Sequence, residues 1–144
     1  MIRLFLPLLL LVAMASARER ARTACLVVHV EGLKVDHRDL RVALFNQPAG
    51  FPFDSARADT GLRPVVNTPS LVLTFCGLPY GRYAVAMHHD ENGNGVMDRN
   101  ILHVPTEGYG LSNNVHPRIR PPSFKACAVS VSQDTVQITV HMHY

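Results

Sequence analysis

From residue 25 onward, apolar and polar positions alternate with a period of two, the spacing that puts every second side chain on the same face of a β-strand. Leu26, Val28 and Val30 form one stripe with Cys25, Val27 and His29 opposite, and Gly32 closes the run. The pattern returns over 40–45, where Leu40, Val42 and Leu44 share a side, and over 70–75. It returns again over 82–89, where Tyr83, Val85 and Met87 alternate with Ala84, Ala86 and His88, and over 125–131. The clearest stretch is 135–143: Val136, Ile138, Val140 and Met142 face one way, Gln137, Thr139, His141 and His143 the other. Gly77-Leu78-Pro79-Tyr80-Gly81 predicts a turn into the strand at 82, and Ser132-Gln133-Asp134 a turn before the last strand. Residues 46–69 and 90–122 carry no clear period and are rich in turn formers, so each predicts a long loop, the first with room for a short strand or helical turn. No helical stripe of useful length occurs. Strands with one apolar face each bury those faces best against one another, which predicts an all-β fold, an antiparallel β-sandwich of transthyretin-like or immunoglobulin-like type with two long loops.

The N-terminus stands outside this pattern. Arg3 precedes an almost unbroken apolar run from Leu4 to Val12, and Ala15-Ser16-Ala17 has the small-x-small form that a signal peptidase reads. The run is shorter than the roughly 18 apolar residues that a membrane span requires. Residues 1–17 are therefore expected to be a cleaved signal peptide, with no membrane span after its removal and the protein exported to the periplasm or beyond. Residues 18–24 read as a solvated basic arm, and 25–144 as a single sandwich domain.

Composition agrees with one folded core. The 144 residues are 47% hydrophobic and 17% charged, too apolar for disorder. The formal net charge of +3 is weak, and basic residues cluster only at Arg18, Arg20 and Arg22, with Glu19 among them. A nucleic-acid partner is therefore not expected, and a protein or small-molecule ligand is. Three cysteines remain after the signal, Cys25, Cys76 and Cys127. Alternation places Cys127 with Val129 and Val131 on an apolar face, and Cys25 and Cys76 on less apolar faces, which favours a Cys25–Cys76 bridge with Cys127 free. The spacings match neither a zinc finger nor a Cys-x-x-Cys redox pair.

The most specific local signal is Asp90-Glu91-Asn92-Gly93-Asn94-Gly95-Val96-Met97-Asp98. Asp90, Asn92, Asn94, Val96 and Asp98 occupy the alternate positions from which a calcium loop draws its oxygens, and Gly95 allows the sharp turn. Position 12 is Ile101 where a bidentate Glu would stand, so two readings remain open: a tight turn built on two Asn-Gly pairs, or a weak calcium site that Glu107 completes if the later loop folds back. The segment that follows concentrates Glu107, Tyr109, Ser112, Asn113 and Asn114, a candidate binding loop. Ser112 lacks the Gly-x-Ser-x-Gly elbow of a nucleophile. Among eight histidines, His141 and His143 share a face two residues apart, a spacing that gives a metal two imidazoles, and His88 could join them from another strand.

From Leu78 onward the residues resemble a bacterial family, domain of unknown function 2141. The resemblance rests on Tyr83-Ala84-Val85-Ala86, His89-Asp90-Glu91-Asn92-Gly93-Asn94-Gly95, Asp98, Pro105, Glu107-Gly108-Tyr109-Gly110, Ser112-Asn113-Asn114 and Pro121-Pro122-Ser123-Phe124. The departures are His103, where a glycine is usual, and Met97, where a leucine is common. Membership implies an exported sandwich protein and no established activity. Its fold resembles transthyretin-like and carboxypeptidase-regulatory modules, some of whose relatives are ureide hydrolases ending in Tyr-Arg-Gly-Ser; that ending is missing here, so that activity is not expected. The expected function is a binding or structural module with calcium as its candidate ion. The rivals are a hydrolase combining His89, Glu107, Tyr109 and Ser112, and metal capture by His88, His141 and His143.

Overall fold

Leu26, Val28 and Val30 are fully buried in strand β1 (Thr23–Glu31), as its alternation requires. The computed structural model describes residues 22–117 and 120–144. The signal peptide expected at 1–17, and most of the arm expected at 18–24, lie outside the described residues; Thr23 and Ala24 already belong to β1. The other strands are β2 (Asp39–Phe45), β3 (Thr60–Leu62), β4 (Ser70–Pro79), β5 (Gly81–Asp90), β6 (Gly108–Leu111), β7 (Val129–Val131) and β8 (Thr135–His141). They form two sheets, one ordered β4-β1-β8 and the other β3-β2-β5-β6, with β7 pairing the first residues of β5. Among the described residues no helix is long and apolar enough to cross a membrane.

The all-β sandwich is the observed architecture, with the inner faces of the two sheets packed together. Leu26, Val28 and Val30 of β1 meet Leu40, Val42 and Leu44 of β2, Tyr83, Val85 and Met87 of β5, and Val140 of β8 in one core. Each fully buried aliphatic side chain of this kind contributes about 1.5–3 kcal/mol relative to an exposed one. One pair departs from the antiparallel expectation. Strand β8 lies parallel to β1, Leu26 opposite Val136 and Val30 opposite Val140. The two are the first and last strands, so no hairpin dictates their relative direction, and a parallel neighbour needs only a long crossover.

Three further local expectations are corrected. The turn expected over 77–81 shrinks to Tyr80, because β4 runs on through Gly77, whose φ of +74° carries the strand past an irregularity opposite Cys25. The strand expected at 125–131 begins only at Val129: Ser123 accepts a hydrogen bond from the Ala126 N–H and caps a short helix, α1 (Phe124–Cys127). The expected loop at 90–122 contains β6, which pairs with Ala86 to His89 of β5. Its Gly-Tyr-Gly sequence carries no hydropathy alternation, yet a Cβ on Gly110 would stand 2.8 Å from the Met142 sulfur and 2.9 Å from Val140, so the sheets close only over glycine there. The loop expected at 46–69 holds a single helical turn (Ser55–Arg57) and β3.

Cys25 and Cys76 are joined by a disulfide that ties β1 to β4, and Cys127 is free and fully buried. Burial pushes the Cys127 thiol up to about 11. Its burial comes from α1 closing over the second sheet, not from strand alternation.

Strand β5 is covered on both faces. Tyr83, Val85 and Met87 enter the core between the sheets, whereas Ala84 and Ala86 pack outward with Phe45, Leu111 and Cys127. Phe51 and Phe124 extend that outer layer, with ring centroids 5.3 Å from Phe45 to Phe51 and 6.0 Å from Phe51 to Phe124. The two long loops thus fold over the outer face of the larger sheet, and the space they leave is the cleft described next.

Candidate ligand cleft

Side chains at every second position of β5 face away from the core: Ala84, Ala86, His88 and Asp90. Cross-strand register brings Ala43 beside Ala86 and Arg41 beside His88 from β2, and Tyr109 beside His88 from β6. Small side chains in the middle of this face lower its floor. The segments 52–63 and 95–105, with Pro117, Arg120, Pro121 and Pro122, wall a cleft of about 1290 Å³ above it. Phe53, Leu62, Val96, Leu102 and Val104 line that cleft while remaining substantially solvent-exposed. Such a concentration of exposed apolar side chains in one concavity is the usual mark of a binding surface.

At one end the floor is polar and hydrogen-bonded. Arg41 Nε donates to Asp90 Oδ2 at 3.0 Å, and the Gly95 N–H donates to the same oxygen at 2.9 Å. His88 Nε2 donates to Glu107 Oε2 at 2.7 Å, which also accepts the Asp98 N–H at 3.1 Å. Asp90 is 1% exposed and Glu107 5%, so both carboxylates are effectively inside the protein. Burial pushes the Asp90 carboxyl upward, but the hydrogen bonds from Arg41 and Gly95, with the charges of Arg41 and His88, outweigh it and hold its pKa below the ordinary value of 3.8. The Asp90 Oδ1 atom is buried with no hydrogen-bond partner among the described residues.

The Asp-Asn loop has a definite geometry. Asn92 Oδ1 accepts the Asn94 N–H at 2.9 Å and Asn94 Oδ1 accepts the Val96 N–H at 2.8 Å, two successive side-chain turns. The amide groups of both residues then donate to the Asp98 carboxylate. The side-chain oxygens of Asn92 and Asn94 are thus directed at backbone N–H groups, and Asp98 is served by NH2 donors. Ile101, in the twelfth position, is 96% exposed. Val96 lies on the cleft wall. Glu107 does fold back toward this loop, its Oε1 accepting the Asn92 N–H at 3.4 Å.

The candidate loop at 107–114 divides in two. Glu107 and Tyr109 belong to the cleft end, and the Tyr109 hydroxyl is hydrogen-bonded to Nδ1 of His116 at 2.8 Å, with burial raising its pKa. Ser112, Asn113 and Asn114 brace the fold. The Ser112 hydroxyl accepts the Val85 N–H at 2.9 Å and donates to the Cys127 carbonyl at 2.6 Å. Asn113 donates to the carbonyls of Ala126 and Ala128, and Asn114 donates to Thr139 O while accepting the His141 N–H.

The hydrolase set is not brought together. His89 points into the inter-sheet side, bonded to Tyr144 and Asp36, on the face opposite Glu107. Nor do His88, His141 and His143 assemble: His88 holds Glu107, His141 lies 3.3 Å from Glu31, and His143 packs with its ring centroid 4.5 Å from that of His116. The grouping with metal-ligand character among the described residues is His88, Asp90 and Glu107, with one donor atom of each within 4.8 Å of the others.

Sequence reasoning passed over Arg41 and the cleft walls. The signal for Arg41 was present, since it alternates with Leu40 and Val42 on the same face as Ala43. What hydropathy cannot indicate is that the loops roof that face instead of leaving it to solvent. A family described as an uncharacterized protein conserved in bacteria, domain of unknown function 2141, matches residues 28–139. No curated protein and no solved structure matches the chain.

Proposed function

This chain belongs to that bacterial family, whose description supplies no activity, and we propose that it is an exported binding module whose outer-face cleft takes a small amphipathic anion. The observation that carries this reading is the chemistry of the cleft lining: four arginines, Arg41, Arg63, Arg99 and Arg120, two histidines, and among the described residues no exposed carboxylate, Asp90 and Glu107 lying buried beneath the floor. Two of those charges are already spent. Arg41 pairs with Asp90 and Arg63 with Asp39, each at 3.0 Å. Arg99 and Arg120 have no carboxylate partner among the described residues. The Arg99 guanidinium donates to the His103 carbonyl and sits 4.8 Å above the Phe53 ring, a charge resting against an apolar wall. An apolar body with one acidic group satisfies both features, the body covering Phe53, Leu102 and Val104 and the acid meeting Arg99. A binding role also suits Ser112, whose hydroxyl is committed to backbone groups.

A matched pair of fluorescent probes tests the reading: 8-anilinonaphthalene-1-sulfonate, an aromatic sulfonate, and N-phenyl-1-naphthylamine, the same ring system without charge. The sulfonate should bind saturably at micromolar concentration, and the neutral probe at least about tenfold more weakly, one such charge contact being worth about 1.4 kcal/mol or more. Dodecanoate should displace the sulfonate, and Arg99→Ala with Arg120→Ala should abolish the preference. Equal binding of both probes would remove the anion from the reading, and an Ala86→Phe variant that still binds would remove the cleft.

A further inference from the structure

We infer that His88, Asp90 and Glu107 form a site for a divalent transition-metal ion on the polar floor of the cleft. The inference does not depend on what the cleft binds. His88 and Asp90 are two residues apart on β5 and so project from one face, and Glu107 reaches them from the segment just before β6. One donor atom from each lies within 4.8 Å of the others, and His88 Nε2 is 2.7 Å from Glu107 Oε2. Two ligands of a single tetrahedral ion with bonds of about 2.1 Å lie about 3.4 Å apart. Closing the widest gap therefore takes side-chain shifts on the order of an ångström.

Two independent features point to a cation there. The first is the charge count. Asp90 and Glu107 are two buried carboxylates, and among the described residues the only Arg or Lys bonded to either is Arg41, on Asp90. The remaining polar contacts come from backbone N–H groups of Asn92, Gly95 and Asp98, which are dipoles and not charges. The second feature is Asp90 Oδ1, enclosed and without a hydrogen-bond partner among the described residues. An unpaired oxygen on a buried carboxylate has given up its hydration with nothing in return, which destabilises the fold unless a ligand fills the place. A metal ion removes both defects together.

The donor set selects the ion. One imidazole nitrogen with two carboxylates suits zinc, manganese or iron(II), whereas calcium and magnesium take oxygen-only shells. Arg41 and the Gly95 N–H, both on Asp90 Oδ2, would act from outside the first shell, orienting the carboxylate so that its other oxygen is free for the ion. Three protein ligands leave a position open on the side where His88 lines the cleft.

Purified protein stripped with EDTA and dialysed against zinc, manganese and calcium chlorides should retain one zinc per chain with micromolar or tighter affinity, and calcium at least about tenfold more weakly. His88→Ala and Glu107→Gln should each reduce zinc affinity by tenfold or more, with His141→Ala unchanged. Because the buried variants risk misfolding, the unmodified chain is also read by NMR, where zinc should shift the ring resonances of a single histidine, and by the visible absorption of bound cobalt(II). No saturable uptake, uptake unaltered in folded His88→Ala and Glu107→Gln, perturbation of several histidines, or a preference for calcium would each overturn the assignment.

Discussion

The hydroxyl of Tyr144 lies 2.7 Å from Nδ1 of His89, closing a chain of hydrogen bonds through the rim of the inter-sheet core. The Lys34 N–H donates to that hydroxyl at 3.0 Å, the hydroxyl donates to His89, and Nε2 of His89 donates to Asp36 Oδ1 at 2.9 Å. The pattern fixes the tautomer of a fully buried imidazole and fastens Tyr144 to the loop after β1. Tyr144→Phe leaves His89 Nδ1 unpaired in a buried setting, and the expected loss is about 1–3 kcal/mol, read as a lower midpoint in urea unfolding. An unchanged midpoint would show that the Tyr144 hydroxyl contributes nothing to the fold.

Ser112 distinguishes structure from catalysis. Its buried hydroxyl joins β5 to the end of α1 through the Val85 N–H and the Cys127 carbonyl. Ser112→Ala should cost about 1–3 kcal/mol, because it leaves both groups without their partner. The native protein should take up no fluorophosphonate label at this residue. Labelling at Ser112 would restore the nucleophile reading.

The depressed pKa of Asp90 predicts a pH dependence with a definite sign. A carboxyl whose folded pKa lies below its unfolded value stabilises the fold above the unfolded value, near 3.8, and that contribution disappears as pH falls through the folded pKa. The stability difference between wild type and Asp90→Asn should therefore be constant from pH 7 to about pH 5 and shrink below pH 4. Urea midpoints across that range measure it. A difference that persists unchanged to pH 2 would mean that Arg41 and Gly95 do not stabilise the ionised form.

Calcium tests the Asp-Asn loop as it is hydrogen-bonded. With the side-chain oxygens of Asn92 and Asn94 on backbone N–H groups and Asp98 already served by their amides, calorimetric titration should show binding no tighter than about millimolar, the weak end for extracellular sites. Micromolar binding lost in Asp98→Ala would show that the loop opens around the ion.

Five strands could be read directly from the sequence because each puts apolar residues on one face: Val28 and Val30, Val42 and Leu44, Leu73 and Phe75, Val85 and Met87, Val136 and Val140. Strand β6 could not. Gly108 and Gly110 carry no hydropathy, and the reason for them, the approach of Tyr144 and Met142, lies in another part of the chain. The parallel pairing of β8 with β1 was hidden for a related reason, since alternation identifies a face and not a neighbour. The site shows the same division. Asp90, Asp98 and Glu107 stand out by residue type and loop context, and the sequence offers the folding back of Glu107 only as a condition of the calcium reading. Its partner His88 was grouped with His141 and His143, because strand parity says that three imidazoles point outward but not from which side of the sandwich.

The buried thiol of Cys127 bears on the durability of the covalent tie between β1 and β4. Exchange of a disulfide requires a thiolate that can reach one of its sulfurs. Cys127 has neither property in the folded state, being fully enclosed and pushed up to about 11. An odd cysteine count would otherwise invite scrambling and mixed dimers. Here the fold hides the third sulfur on the far side of the larger sheet, so the pairing of Cys25 with Cys76, once made, has no internal competitor until the chain unfolds.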